Sequence, residues 1–329
     1  MVYKGISVVI PNYNGTRLLT QILPSLYTAL ENSKEVYEII ISDDCSTDDS
    51  IAYIKTAFPG IVLLTNNENR GFSPTINNGI FIAKYDYLLL LNNDVKLDPH
   101  YFDGLFRYFE RPDTFGVMGR IIGWDDDNIQ DAAKYPSFHG AKIKTSGNYY
   151  SADPQKNDWL YSTYLSGANA FVDRKKIIAL SGFDEIFAPF YVEDFELSLR
   201  AWRVGWKCYY DHFSVCRHQT SVSIKSKSSK NFINTIYYRN KMFLHFIHLS
   251  GLQLTTWCLQ LIPETLFYFF TGRFYFVGAL KLFLASKYKA AASKKNLEDH
   301  FLNQKGLLSV REVFNNILLS VKNKEITKF

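Results

Sequence analysis

The sequence predicts an α/β protein with a Rossmann-like, mostly parallel sheet flanked by helices. Two observations carry this prediction. Short apolar runs alternate with stretches of helical periodicity in the first third of the chain, and each run ends in polar or turn residues. Strands that alternate with helices form βαβ units, which produce parallel strands with right-handed crossovers. The apolar runs are unbroken, which indicates a sheet that is covered on both faces.

The predicted strands are four apolar runs, and each ends in polar residues. They are ISVVIP, EIIISDD, IVLLTNN and YLLLLNND, which begin at residues 6, 38, 61 and 87. Helices are predicted between them, at residues 16–33, 48–58 and 73–85, from apolar side chains three and four residues apart. Ligands of open parallel sheets bind beyond the carboxyl ends of the strands. We therefore expect one small-molecule site from the polar residues 11–14, 43–44, 66–70 and 92–94.

The second half of the chain is less regular. Residues 125–160 show no steady period and are predicted to form loops and short antiparallel strands. A helix is predicted within FYVEDFELSLRAWRVGW, with Glu193 and Asp194 in its first turn, where the helix dipole stabilises an anion. The Ser- and Lys-rich segment at 223–231 is predicted to be a loop.

The C-terminal third is basic, although the whole chain carries a net charge of only +5. From Arg217 onward there are 17 Lys and Arg against 5 Asp and Glu, which indicates an anionic partner. The uncharged segment 243–263 and the basic-aromatic segment 273–289 favour amphipathic helices on a membrane surface over membrane spans. Helices that cover the protein's own core, or that form a homodimer, are the alternatives. Basic residues among Phe and Leu at helical spacing disfavour nucleic acid.

The absence of several sequence motifs argues against some classes of enzyme. After the first strand there is no G-x-G-x-x-G of a dinucleotide-dependent dehydrogenase, and the chain has no P-loop and no G-x-S-x-G elbow. The N-terminal apolar run is too short for a secretory signal, and the four cysteines form no C-x-x-C pair. We therefore expect the protein in the reducing cytoplasm, with the inner face of the cytoplasmic membrane as an alternative.

Each candidate site residue has a structural alternative. Asp43 and Asp44 suit either a turn and helix cap or hydrogen bonds to a nucleobase. Asp94, which follows two asparagines, is either a polar strand end or a ligand of a hard divalent cation such as Mg²⁺ or Mn²⁺. Glu193 and Asp194 form either an ordinary first helical turn or a general base. A lone histidine such as His218 is more often structural than a ligand.

Taken in order, five segments resemble the family-two glycosyltransferases of the GT-A fold. The segments are SVVIPNYNG, IISDDCSTDDS, NRGFSPTINNGI, LLLNNDV and SGANAFVDR…GFDE…YVEDFELSLR…GW. The resemblance spans roughly residues 5–245. The chain is similar to bacterial members of the family that add rhamnose-like or other sugars to cell-surface polysaccharides. Each motif alone is loose, but five in this order and spacing are specific.

The resemblance implies an inverting transfer of one sugar from a UDP- or dTDP-sugar to a hydroxyl of a glycan or lipid-linked saccharide. Asp194, beside Glu193, would be the catalytic base, and Asp94, Asn92 and His218 would hold Mn²⁺ or Mg²⁺ at the diphosphate. The other residues implied to bind the donor are Pro11, Tyr13, Asn14, Asp43, Asp44, Asn69, Gly71, Asn77, Asn93, Gly167, Lys225 and Arg239.

Two departures from the family pattern bear on this expectation. Asn92 replaces the first aspartate of D-x-D, so the motif supplies one certain metal carboxylate. The Q-x-x-R-W motif and the multiple membrane spans of processive synthases are absent, which favours addition of a single sugar. The alternative functions are a catalytically silent sugar-binding or scaffold protein and a nucleotidyltransferase, although PNYNGTR offers a poor Gly-rich loop for the latter.

The expected organisation is a GT-A domain followed by a helical region. The GT-A domain would span residues 1–240, with a nucleotide-sugar-binding half at 1–120 and an acceptor and catalytic-base half at 121–240. Residues 241–329 would form the basic-aromatic helical region.

Overall fold

The computed structural model describes residues 5–151, 153, 159–219, 229–301 and 306–329. Its strands in chain order are β1 (Ile6–Asn12), β2 (Tyr37–Asp43), β3 (Val62–Thr65), β4 (Tyr87–Leu91), β5 (Val95–Leu97), β6 (Thr114–Gly123), β7 (Ile129–Asp131), β8 (Ala133–His139), β9 (Lys142–Ser151), β10 (Leu160–Tyr161), β11 (Asn169–Asp173), β12 (Lys207–His218) and β13 (Ile326–Lys328). The α-helices are α1 (Thr16–Ser33), α2 (Ser50–Ala57), α3 (Phe72–Ile82), α4 (Arg174–Ala179), α5 (Glu193–Arg203), α6 (Lys230–His248), α7 (Gly251–Phe270), α8 (Tyr275–Phe301) and α9 (Val310–Val321).

The central sheet has the strand order β10-β12-β6-β11-β4-β1-β2-β3. Strands β3, β2, β1 and β4 run parallel, whereas β11 pairs antiparallel to both β4 and β6. The chain moves outward from β1 to β3 and then returns to the other side of β1 for β4. This reversal opens a crevice at the carboxyl ends of β1 and β4, where open α/β sheets bind ligands. The predicted α/β class with a mostly parallel sheet flanked by helices is confirmed.

The leucine run of β4 is buried on both faces of the sheet. Leu88 and Leu90 belong to the core beneath α3 and α5, while Leu89 and Leu91 belong to the core beneath α1. Successive side chains of a strand point to opposite faces, so a strand covered on both sides needs apolar residues at every position. This explains why the polar residues begin abruptly at Asn92, where the strand leaves the core.

A smaller antiparallel sheet, in the order β13-β9-β8, forms where loops and short antiparallel strands were expected. Helix α9 packs against β8, while α6 and α7 bond to the β8–β9 hairpin through His245 and Gln260, and α6 lies along α8. The predicted single helix over residues 243–263 is wrong, because α6 ends at His248 and α7 begins at Gly251. Leu249 and Ser250 are extended and Gly251 has φ of +51°, so the backbone leaves the helix there.

None of the helices in the described residues combines the length and hydropathy needed to cross a bilayer. The predicted domain boundary at residue 240 falls inside α6. The division of the chain into domains stays a prediction.

Candidate active site

A cavity of about 480 Å³ opens at the carboxyl ends of β1 and β4. Two further cavities, of about 600 and 640 Å³, lie at α9 with β13 and around Asp184, and contain almost none of the predicted site residues. The predicted residues that line the 480 Å³ cavity are Pro11, Tyr13, Asp44, Asn69, Gly71, Asn92, Asn93, Asp94, Gly167, Glu193, Asp194 and His218. The structure therefore brings together residues that are up to about two hundred positions apart in the sequence.

Asp94 and His218 meet at one corner of the cavity because β5 pairs with β12. The register places His218 opposite Val95, the residue after Asp94, and Gln219 donates its backbone N–H to the Asp94 carbonyl over 3.0 Å. His218 Nε2 consequently lies 3.5 Å from Asp94 Oδ2. Backbone hydrogen bonds between β5 and β12 fix the main chain at this corner, so Asp94 and His218 stay adjacent.

The same corner offers some, but not all, of the ligand atoms that a hard divalent cation needs. Asn92 Oδ1 and Asp94 Oδ1 are buried and have no hydrogen-bond partner in the described part of the chain, which leaves two oxygens available to a ligand. Oxygen and imidazole donors suit Mg²⁺ or Mn²⁺. The described residues contain no cluster of three or more His, Cys, Asp or Glu that could hold a metal by itself. A cation here would therefore need oxygens from its ligand as well.

The cavity is also lined by two adjacent carboxyl groups at the start of α5. Asp194 Oδ1 accepts from the Phe195 N–H over 2.7 Å, and Asp194 Oδ2 accepts from the Gly167 N–H over 3.4 Å. Burial raises the pKa of Asp194, opposed by these two N–H groups and by the charge of Lys134. Burial, followed by the charge of Asp194, raises the pKa of Glu193 to about 8. Because its pKa is raised to about 8, Glu193 holds a proton near neutral pH.

Basic side chains stand behind these carboxyl groups. Lys134, on β8, contacts Asp131 and donates to Asn148 Oδ1 over 3.0 Å. Lys241, on α6, lies with its Nζ 4.9 Å from the centre of the Phe195 ring. Burial lowers the pKa of Lys241 to about 8, against the opposing charge of Asp194. The positive charges favour an ionised Asp194.

The segment that leads into α5 is strained. Tyr191 and Val192 both have positive φ, +75° and +77°, which is rare for residues with bulky or β-branched side chains. Buried Asn240, on α6, holds the segment by donating its Nδ2 to the carbonyl oxygens of Phe187, Phe190 and Tyr191 over 2.6, 3.0 and 2.8 Å. The clamp fixes the position from which Glu193 and Asp194 enter the cavity.

Asp44 connects the loop after β2 to the loop between β3 and α3. Its Oδ1 accepts from the Asn66 Nδ2 and the Arg70 N–H, and its Oδ2 accepts from the Gly71 N–H, each over 2.8 Å. A carboxylate has about four acceptor positions, so about one remains for a ligand. Gly71 has φ of +85°, and a Cβ there would lie 2.5 Å from the Pro189 Cα. Gly71 is therefore needed for the close approach of the two loops.

Five of the residues expected to bind the donor do not line the cavity or cannot be placed. Asp43 is fully buried, with its Oδ2 accepting from Asn12 Nδ2 over 2.7 Å and its Oδ1 accepting from the Ser46 N–H over 2.8 Å. Asn14 accepts from the Thr47 and Asp48 N–H groups. Both side chains stabilise the turn that follows β2, through hydrogen bonds to residues 46–48.

Asn77 and Arg239 also bond to protein groups instead of facing the cavity. Asn77 bonds to the backbone of Phe183 in both directions over 2.9 Å. Arg239 donates to the Ala188 carbonyl and to Asn240 Oδ1. Lys225 lies outside the described residues. The donor-binding roles of these residues stay predictions.

Other lining residues were missed by sequence reasoning. They are Phe72, Thr75, Ser166, Ala168, Pro189, Phe190 and Tyr191, whereas Asn12 lies within the expected residues 11–14. Asn12 joins the two strand ends, since its Oδ1 accepts from Asn93 Nδ2 over 2.8 Å while its Nδ2 bonds to Asp43. The aromatic residues Phe190 and Tyr191, directly before Val192, were a usable signal, because half-buried aromatic side chains beside a candidate base suit a sugar-binding wall.

Comparison with known proteins assigns the family. The family model described as glycosyl transferase family 2 matches residues 7–180, more than half of the chain. The poly(ribitol-phosphate) beta-glucosyltransferase of Bacillus spizizenii is 25% identical over 199 residues, which cover 54% of this chain and 31% of that protein. The N-acetylglucosaminyl-diphospho-decaprenol L-rhamnosyltransferase of Mycobacterium tuberculosis is 25% identical over 225 residues, 62% of this chain and 72% of that protein. The chain thus spans less than a third of the length of the Bacillus protein.

A solved structure agrees with the fold. GalNAc-T7, solved with UDP, GalNAc and Mn²⁺, superposes with a TM-score of 0.60 at 16% identity, covering 97% of this chain and 57% of that one. At this identity the likeness shows the fold alone. The GT-A fold that the resemblance implied is confirmed.

Proposed function

The chain belongs to glycosyl transferase family 2, and we propose that it moves one sugar from a nucleoside-diphosphate sugar to a hydroxyl group, with inversion. One observation carries the proposal. Asp194 and the Asp94–His218 pair line the same cavity. The Asp94–His218 pair suits a diphosphate, and Asp194 suits a hydroxyl that must lose its proton.

The donor is proposed to be a UDP- or dTDP-sugar. Its base would lie against the half-exposed ring of Tyr13 and donate a hydrogen bond to Asp44, where about one acceptor position is left. Support comes from GalNAc-T7, which was solved with UDP in the same fold.

Asp94 and His218 would hold a divalent cation, Mn²⁺ or Mg²⁺, with Asn92 Oδ1 as a neutral third donor. When bound, such a cation supplies positive charge to the leaving diphosphate. The unpartnered oxygens of Asn92 and Asp94 support this assignment, as does the Mn²⁺ of GalNAc-T7. With only one protein carboxylate, affinity for the cation alone would be weak and would rise with donor bound.

Asp194 is proposed to be the general base. Its carboxylate takes the proton of the acceptor hydroxyl as that oxygen attacks the anomeric carbon. The bond from this carbon to the diphosphate oxygen breaks, and its electron pair leaves with the nucleoside diphosphate. Attack opposite the leaving group inverts the configuration. The Gly167 and Phe195 N–H groups orient Asp194, while Glu193, by keeping its proton, adds no second charge.

The acceptor is proposed to be a glycan or a lipid-linked saccharide of surface-polysaccharide or cell-wall synthesis. The names of the two relatives place their acceptors in that class, a poly(ribitol phosphate) and a decaprenol-linked diphosphosaccharide. Such acceptors are assembled from cytoplasmic nucleotide sugars, so we propose a cytoplasmic site of action.

The test is donor binding and hydrolysis across UDP-, dTDP- and GDP-sugars, with Mn²⁺, Mg²⁺ or EDTA. We expect one donor to bind selectively and only with metal, and its slow hydrolysis to release the inverted anomer first, as seen by proton NMR. Release of the retained anomer would exclude the single-displacement mechanism. If no nucleotide sugar bound, a catalytically silent scaffold would be the better reading.

A further inference from the structure

Helix α7 exposes one apolar face to solvent. We define the apolar stripe as Leu252, Leu259, Ile262, Leu266 and Phe270, which recur at helical spacing. Each is exposed, from 52% for Leu266 to 82% for Leu252. Beside the stripe are three more exposed aromatic residues, Phe267, Phe269 and Phe274. A contiguous apolar surface of this kind is unusual on a soluble protein and marks an interaction site.

The opposite face of α7 is firmly packed. Trp257 is buried and stacks on His245, with ring centroids 5.4 Å apart and planes 3° apart. Tyr268 stacks on Phe276 at 4.4 Å. Gln260 Oε1 accepts from the Ala141 N–H over 3.0 Å. The stripe is therefore a fixed surface, since the buried face sets the rotation of the helix.

The segment of chain that carries the stripe and continues into α8 is basic. From residue 249 to residue 297 the only acidic residue is Glu264, and its carboxylate pairs with Lys142. The same segment contains six basic residues, of which all but the half-buried Lys294 are exposed: Arg273, Lys281, Lys287, Lys289, Lys294 and Lys295. An apolar helix face with basic neighbours and no free carboxylate fits the headgroup region of an anionic bilayer.

We propose that the apolar stripe docks the protein on the surface of an anionic phospholipid bilayer, with α7 lying in the plane of the interface. A second copy of the chain fits this face less well. A two-fold contact would bring the same cationic groups together, with no carboxylate of this segment available to neutralise them.

Docking at this face also orients the cavity. Gln260 links α7 to the turn between β8 and β9, through Ala141 and the His139 carbonyl. Strand β8 carries Lys134, which lies behind Asp194. The stripe thus belongs to the half of the molecule that holds the base. This part of the inference rests on the proposed function: a lipid-linked acceptor would reach Asp194 from the membrane side.

The experiment is sedimentation of the full chain with vesicles of phosphatidylcholine alone and of phosphatidylcholine mixed with phosphatidylglycerol, without any nucleotide sugar. We expect binding to the mixed vesicles that weakens with salt and exceeds binding to the neutral ones. The double variant Leu266→Glu/Phe270→Glu should lower the partition coefficient about tenfold or more. Phe213→Glu is the matched control, because Phe213 is 56% exposed on β12 and should leave binding unchanged.

Three vesicle results would overturn the inference: no binding by the unaltered protein, equal binding to both compositions, or unchanged binding by the double variant. Light scattering adds a fourth, a dimer that the double variant dissociates, which would assign the stripe to a second copy. Thermal melting of each variant checks that it is folded. Because no donor is present, failure of the proposed transferase activity would leave this result intact.

Discussion

The imidazole of His218 lies 3.5 Å from the carboxylate of Asp94, although 123 residues separate them along the chain. The pairing of β5 with β12 creates this contact. If the two residues share a cation, His218→Ala should weaken metal-dependent donor binding about tenfold to hundredfold, and the weak binding in EDTA should not change. Calorimetric titration measures both conditions. The exposed His139 supplies the control His139→Ala, and an equal loss in that variant would contradict the assignment.

Asp194→Asn should abolish transfer while donor affinity is kept. The amide has the size of the carboxylate but cannot take the proton, so the rate should fall about a hundredfold to ten-thousandfold. Single-turnover hydrolysis of the donor and a separate binding titration distinguish the two effects. A variant that binds donor normally and also reacts at the unaltered rate would remove Asp194 from the chemistry.

The rate should depend on pH through Asp194. Burial raises its pKa and the base must be ionised, so the rate falls as pH falls through that raised pKa. Lys134→Met should move this acid limb to higher pH, because it removes a positive charge and leaves Asp131 uncompensated. The profile of kcat/KM against pH measures the shift. Lys84→Met, at an exposed site outside the cavity, should leave the limb in place.

Glu193→Gln should stabilise the fold as the pH rises. The pKa of Glu193 is raised from 4.5 to about 8 in the folded protein. Its contribution to stability is therefore complete below pH 4.5 and is lost progressively up to about pH 8, since the unfolded chain ionises first. Glutamine carries no charge to desolvate, so the variant should gain roughly 2–4 kcal/mol over the wild type across this range. Urea unfolding at several pH values tests this, and a constant difference would contradict it.

Asn240→Leu should unfold the strained segment before α5. The change leaves three backbone carbonyls without their donor and costs roughly 2–4 kcal/mol. Activity should fall even well below the melting temperature, because Tyr191 and Val192 lose the support for their positive φ. Thermal melting and donor hydrolysis measure the two effects. Asn231→Leu, exposed on the same helix, is the control and should change neither.

Much of the cavity edge at the ends of β1 and β4 could be predicted from the sequence because its signals are local. An unbroken apolar run that stops at Asn92 marks both a strand covered on two faces and the residue where it emerges. The first turn of α5 was likewise readable from Glu193 and Asp194, which precede an amphipathic stretch. In both cases the burial of neighbouring side chains determines where the polar group must lie.

The remaining site residues depend on contacts between distant segments. Asp43 and Asp44 are adjacent and chemically identical, yet only Asp44 reaches the cavity, because Asn12 and Ser46 occupy the carboxylate of Asp43. Arg239 has the charge expected of a diphosphate ligand but serves a backbone carbonyl. Residue type alone does not distinguish these uses, since the partner is supplied by a segment far away in the sequence.

The ladder between β5 and β12 has a thermodynamic consequence. Two side chains that are already held together by backbone hydrogen bonds lose little conformational entropy when a ligand arrives. The corner that we propose for the diphosphate is therefore preorganised, and most of the interaction energy gained there can appear as affinity. In the strained turn at Tyr191 and Val192, the free-energy cost of the backbone conformation is met when the protein folds and not during catalysis.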